Sequence, residues 1–321
     1  MSAAPSRPDV YYGGQAVIEG VMIRAPRHMA IAVRHPSGEI VRHTEELTGF
    51  TTGRARQIPL VRGALVLWET LSMGLRAINY SSRIALDEPE EGEEDAGNRD
   101  GAAEEDEEYT DAAMWVSMTV GIVFAVALFF VGPVLFANFL ESQGIARAVV
   151  VAIEAALRLV LFVGYIALIG LMPDIRRVFQ YHGAEHMTIH AYEAARPLTV
   201  GEVRGLPKEH TRCGTSFLVV VIIIALAAFL AFDLLVDEGI FVRIASRVVL
   251  LPPIAGVSYE VLRLGARYES NAFVRALFTP NIALQALTTR VPEDDQIEVA
   301  IAAFETAVAS AGEGSATTSG G

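Results

Sequence analysis

Long apolar stretches alternate with short polar ones along this chain, and the apolar lengths are those of membrane spans. Residues 112–140 carry no charged side chain and are rich in Val, Phe, Ala and Leu. That exceeds the ~20 residues a helix needs to cross hydrocarbon, with Pro133 as a candidate kink. Residues 213–232 are also charge-free, with Val and Ile filling 219–224. A weaker stretch, 148–172, carries Glu154 and Arg158 four residues apart, acid first, so the two can pair along one helix face. A fourth, 240–262, has Arg243 and Arg247 near one end, placed to snorkel, and Pro252-Pro253 in its middle. A broken or re-entrant segment is the alternative to a span there.

The remaining segments have shorter periods. Residues 13–43 read as short strands: Ala16–Ile18 and Met29–Val33 are apolar, and Pro36-Ser37-Gly38 is a turn before Glu39–Val41, so 29–41 is a hairpin. Residues 58–80 repeat helically, with Leu60, Ala64, Leu67, Trp68 and Leu71 on one side. Arg62 and Glu69 interrupt that side, which favours an interfacial helix over a span. Residues 293–310 predict an amphipathic helix with Ile297, Ala300, Ile301 and Phe304 on its apolar face. The fold class is therefore an α-helical polytopic membrane protein of about four transmembrane helices. It has a small N-terminal β-containing cytoplasmic segment and a C-terminal amphipathic helix.

The boundaries follow. Residues 10–86 are the N-terminal segment and 87–111 an acidic, disordered linker. Residues 112–172 form a first membrane hairpin, 173–212 a histidine-rich helix and loop, and 213–262 a second hairpin. Residues 263–310 are the C-terminal segment and 311–321 a disordered Gly/Ser/Thr tail.

Composition supports this reading. With 52% hydrophobic residues in 321, the chain is more apolar than an average soluble enzyme. The net charge of −13 is local: residues 87–108 hold thirteen acids and one arginine, leaving about −1 for the rest. That run is a solvated loop, and it argues against a nucleic-acid partner. Cys213 is the only cysteine, which excludes an intramolecular disulfide. Residues 1–10 have neither an apolar core nor a cleavage site, so targeting is expected from the internal spans.

Basic residues orient the spans. The loop at 173–212 carries Arg176, Arg177, Arg196, Arg204, Lys208 and Arg212, and the outer flanks add Arg76, Arg83, Arg263 and Arg267. The connectors at 141–147 and 233–239 hold only Arg147. The positive-inside rule places both termini and the 173–212 loop in the cytoplasm.

That loop also carries the chemistry. Pro173-Asp174 starts a helix, with Asp174 as N-cap, and Arg196-Pro197 stops it. At about 100° per residue, Glu193 and His186 fall within roughly 40° of His182, and His190 at roughly 80°. Imidazoles at i and i+4 can share one metal ion. Residues 182–186 fit His-x-x-Glu-His, the inverted zinc-peptidase helix motif, in which the histidines bind zinc and the glutamate, here Glu185, activates water. The competing reading is a set of interfacial histidines satisfied by water and lipid phosphate.

His210 and Cys213 lie at the entrance to the third span and offer a nitrogen and a sulfur suited to a borderline divalent ion. A lone cysteine is otherwise an inert apolar residue. Glu260, after the fourth apolar stretch, is a ligand, a partner to one, or a surface charge. The Gly13–Arg24 segment, with Glu19 and Arg24, reads as a strand and its turn and lacks phosphate-loop spacing.

Five blocks of the chain are distinctive: Gly13–Met22 (GGQAVIEGVM), Ala77–Tyr80 (AINY), Tyr181–His186 (YHGAEH), Arg212–Phe217 (RCGTSF) and Leu284–Thr289 (LQALTT). With them the sequence resembles the YqhQ-like family of bacterial membrane proteins, a family of uncharacterised domain described as predicted metal-dependent enzymes. The resemblance runs over roughly residues 10–305. It implies a multi-pass bacterial inner-membrane protein with His182, Glu185 and His186 as the metal and catalytic group and His210 and Cys213 as associates. Met187 stands where the family usually has lysine, and Thr211 where it has proline.

The leading expectation is a divalent-metal-dependent hydrolase at the cytoplasmic face, with Zn2+ as the expected ion. His182 and His186 hold the ion, Glu185 is the base, and His190, Glu193, His210, Cys213 or Glu260 complete the shell. Peptide or lipid-linked substrates both fit a site at the bilayer, and homo-oligomers are compatible with it. The alternative is a non-enzymatic membrane scaffold or regulator whose histidines sense metal or pH. A metal transporter ranks last, because only Glu154 and Arg158 lie within a span.

Overall fold

The computed structural model describes residues 12–47, 58–86, 115–210, 213–236, 239–268, 271, 279 and 282–316. The acidic linker at 87–111 and residues 317–321 of the tail lie outside the described residues. Four strands, β1 (Gly13–Val17), β2 (Gly20–Arg24), β3 (His28–Arg34) and β4 (Ile40–Glu46), form an antiparallel sheet in sequence order. The main helices are α1 (Val61–Leu86), α2 (Trp115–Ser142), α3 (Arg147–Ile169), α4 (Pro173–Glu193), α5 (Thr215–Leu235), α6 (Ile240–Val249), α7 (Leu251–Arg267) and α8 (Asp294–Ala316). The chain divides into two compact units. One is drawn from residues 1–87, 166–224 and 252–321, the other from 88–165 and 225–251.

The first unit is a sheet covered on both faces. Side chains alternate across a strand, and the two faces have separate cores. Val21 and Ile23 of β2 and Ala30 and Ala32 of β3 pack with α4 and α8, whereas Val17, Met22, Met29, Ile31 and Val33 pack with Met73 and Ala77 of α1. The alanines on β3 leave room for α8, itself rich in alanine, to lie close. From Val299 to Phe304 every residue of α8 is buried, so the helix is enclosed on all sides there. It also continues past Ser310 to Ala316, longer than its apolar pattern suggests.

Helix α1 buries Met73 and the small residues Gly63, Gly74, Ala77 and Ser81, and leaves Trp68, Leu71, Leu75 and Ile78 exposed. The bulky stripe of the sequence is therefore its free face. Its start lies against α7, where a Cβ on Gly63 would come within 2.9 Å of the Gly256 Cα. Arg62 grips Glu260 there with two hydrogen bonds, Nε at 2.6 Å and Nη2 to the second oxygen.

Three helices are long and apolar enough to cross a bilayer: Trp115–Ser142, Arg147–Ile169 and Phe217–Leu235. The pair Ile240–Val249 and Leu251–Gly265, bent by 43°, makes up to four. Pro252 and Pro253 sit at the start of α7, where the first turn needs no intrahelical N–H. Within α2, Ala127–Val131 forms a π-helical turn directly before Pro133. Proline has no N–H to give the Phe129 carbonyl, and Arg158 Nε donates to that oxygen instead, at 3.2 Å.

The second unit is organised around buried charge. Glu154 accepts from Arg158 Nη2 at 2.5 Å, from Arg243 Nη2 at 2.9 Å and from Arg247 Nη2 at 3.2 Å. Asp233 accepts from Arg247 Nη2 at 2.5 Å. Arg158 and Arg247 also flank the Phe229 ring, at 5.2 and 4.6 Å from its centroid. Arg243 and Arg247, expected to snorkel, are instead buried, Arg247 completely. Acids at Glu154 and Asp233 make that burial tolerable, and the pairing sits across helices, out of reach of a one-helix reading.

Candidate metal centre

Helix α4 begins with Pro173 at its first turn and Met172 as N-cap, which makes no side-chain cap bond. Asp174, expected as the cap, lies instead inside the first turn, where its charge favours the helix N-terminus. The helix is fixed to the sheet by Glu19, at the β1–β2 turn in a left-handed conformation (φ 49°). Arg177 donates from Nε and Nη2 to its two oxygens, each at 2.6 Å, and Tyr181 donates from its hydroxyl at 3.2 Å. Burial, followed by the Glu19 charge, raises the Tyr181 pKa above its usual range.

This docking brings strand β1 against the His-x-x-Glu-His turn. A Cβ on Gly14 would lie 2.5 Å from Glu185 Oε1, so only glycine lets the backbone approach, and the Gly14 N–H hydrogen-bonds the carboxylate. Glu185 is buried, and desolvation raises its carboxyl to about 8 against that hydrogen bond. On the other side of α4, Gly183 admits the segment after the helical turn at 282–288. A Cβ there would come within 2.1 Å of the Arg290 carbonyl oxygen. The Arg290 N–H donates to the Phe179 carbonyl at 2.8 Å.

The two imidazoles are oriented by main-chain carbonyls. His182 Nδ1 lies 2.9 Å from the Thr288 oxygen and His186 Nδ1 2.6 Å from the Lys208 oxygen. A carbonyl only accepts, so each Nδ1 carries the proton and each Nε2 keeps its lone pair. His182 Nε2 lies 3.2 Å from Cys213 Sγ. His186 Nε2 is buried without a hydrogen-bond partner among the described residues, with Glu185 Oε2 at 3.5 Å. Burial lowers the His182 pKa, and it lowers His186, helped by the neighbouring imidazoles, to about 3. Both are neutral at physiological pH, the state in which imidazole binds metal.

The candidate donors form two groups rather than one. His182, His186 and Cys213 offer ligand atoms within 4.8 Å of one another, and so do His190, Glu193 and His210. Glu260 joins neither. It is held by Arg62 between α1 and α7, so the ligand role raised for it is replaced by an ion pair. The expected single shell fails because His190, at its larger angle from His182, turns toward the loop carrying His210, whose ring centroid is 4.5 Å away.

A cavity of about 200 Å³ opens onto Glu185, His186, His210 and Cys213, with Gly13, Gln15 and Arg24 of the sheet and Thr70 and Met73 of α1 in its wall. Sequence reasoning missed the contributions of β1 and α1, and of the Thr288 and Lys208 carbonyls. The paired glycines at 13 and 14 were the available signal for β1. Carbonyl partners leave no mark in residue identity.

The geometry defines a membrane-helix protein with a sheet-supported cluster of histidine, glutamate and cysteine side chains. Residues 58–310 match the family described as "protein of unknown function (DUF1385)". The chain is 34% identical over 304 residues, 91% of each chain, to the "Uncharacterized protein YqhQ" of Bacillus subtilis (strain 168). The protein belongs to this YqhQ-like family. No solved structure matches it.

Proposed function

We propose that the protein is a divalent-metal-dependent hydrolase of the bacterial inner membrane, with its site at the cytoplasmic face. The observation that carries this reading is that His182, His186 and Cys213 offer ligand atoms within 4.8 Å of one another, with both histidine Nδ1 atoms tied to carbonyls. Such outer hydrogen bonds fix the tautomer and the ring plane of metal ligands. Two neutral imidazoles and a sulfur suit zinc.

A cation held there supplies Lewis acidity, polarising a substrate oxygen and acidifying water beside it. The remaining chemistry belongs to the chain. With a cation beside it to favour the ionised form, Glu185, whose Oε2 is 3.5 Å from His186 Nε2, would be the group placed to take a proton from the attacking water and return it to the leaving group. The Gly14 N–H holds the carboxylate in position through that exchange. The cavity, at about 200 Å³, is below the several hundred Å³ of a site that engulfs a whole ligand. It accommodates the scissile group of a peptide or lipid-linked substrate, the rest of which lies outside.

The basic loop at 173–212 and the exposed apolar face of α1 support placement at the inner surface of the bilayer. The test is the metal content of purified protein together with a cellular phenotype. Wild type is expected to carry stoichiometric metal, His182→Ala/His186→Ala to lose it, and Glu185→Gln to keep metal while losing function. Equal, substoichiometric metal in wild type and the double variant sinks the reading.

A further inference from the structure

The second donor group has its own supports. His190 Nε2 lies 2.9 Å from the Glu209 carbonyl oxygen, so that nitrogen is the donor and the Nδ1 lone pair is left for a ligand. His210 Nε2 is 3.3 Å from Glu193 Oε2. A charge-assisted hydrogen bond is typically about 2.7–2.9 Å. Two donors on one tetrahedral ion, at bonds of about 2.0–2.2 Å, stand about 3.4 Å apart, which is close to the spacing found.

The His210 backbone is clamped by one fully buried side chain. Its N–H donates to Gln285 Oε1 and its carbonyl accepts from Gln285 Nε2, both at 2.9 Å. Two opposed hydrogen bonds from a rigid amide fix where the imidazole begins, which a surface histidine does not require. The ring stands 5.8 Å from that of His186, centroid to centroid, so the second group begins where the first ends.

We infer that His190, Glu193 and His210 bind a second divalent cation beside the first, making the centre binuclear, with Gln285 as a positioning residue. This rests on the proposed metal centre for its neighbour but uses none of its ligands. The donors are two nitrogens and an oxygen without sulfur, a set that takes a borderline first-row cation such as Mn2+, Fe2+, Co2+ or Zn2+.

The experiment is Co2+ titration of the full-length, detergent-purified, chelator-stripped protein. Two equivalents are expected to bind. The sulfur-to-cobalt charge-transfer absorption reports Cys213 and should saturate with one of them, and the other should add only ligand-field bands. Glu193→Gln, alone and with His190→Ala, should lose the sulfur-free equivalent and retain the sulfur band, which also reports an intact fold. Gln285→Leu should weaken that equivalent at least tenfold. One equivalent in wild type, with the sulfur band, overturns the second site and leaves the first. No binding overturns both. A second equivalent that survives His190→Ala/Glu193→Gln overturns the assignment to these residues.

Discussion

Gly14 and Glu185 are in contact across 171 positions of chain, close enough that a single methyl on Gly14 would sit 2.5 Å from the carboxylate. The Glu185 carboxylate is thus positioned by a strand as well as by its own helix. Gly14→Ala is expected to destabilise the protein by about 1–3 kcal/mol through overpacking and to reduce function. Trimming the opposing side chain in Gly14→Ala/Glu185→Ala should restore the stability, though not the function. Thermal unfolding in detergent checks this, and a Gly14→Ala variant as stable as wild type would refute the contact.

Gly183 plays the corresponding part on the far side of α4. Any side chain there meets the Arg290 carbonyl and lifts away the segment whose Thr288 oxygen holds His182. Gly183→Ala should therefore weaken metal affinity by about 10–100-fold, the usual cost of losing an outer partner, although position 183 is not a ligand. Competition with a chromophoric chelator measures it. Unchanged affinity would show that Thr288 does not orient the ring.

The pH dependence of the metal-free protein follows from Glu185. Its folded pKa of about 8 lies above the ordinary 4.5, so between those values the folded state keeps a proton that the unfolded chain releases. Stability therefore falls as pH rises through that window, and below it the difference vanishes. Glu185→Gln should flatten the fall in melting temperature between pH 5 and 8. Parallel slopes for the two proteins would count against a buried, protonated carboxyl.

In the second unit, Arg247→Met leaves Asp233 without its 2.5 Å partner and should cost about 3–5 kcal/mol, as breaking a buried pair does. Replacing both, in Arg247→Met/Asp233→Leu, should recover most of it. A double variant no more stable than the single one would show that the pair is not the reason for the loss.

The membrane helices and the sheet were legible because their signals are local. The charge-free run to Leu140, the alternation at Met29–Val33 and the His-x-x-Glu-His spacing each fit within one element. Interactions between elements were not legible. Nothing near Glu260 announces Arg62, nearly two hundred residues earlier. Nothing in His182 to His190 says that a loop would divide them into two groups. Snorkelling was a fair expectation for Arg243 and Arg247 until Glu154 and Asp233 were seen to reach them.

Those arginines constrain how the protein is made. An arginine at the centre of a lone membrane helix costs about 2.5–3.5 kcal/mol even by insertion scales, and α6 carries two that end up buried. Their counter-charges stand on α3 and α5, both earlier in the chain. Synthesis therefore delivers both acids before the α6 arginines that pair with them. A chain truncated before Ile240 would leave Asp233 without Arg243 and Arg247, and Glu154 with Arg158 alone among these arginines.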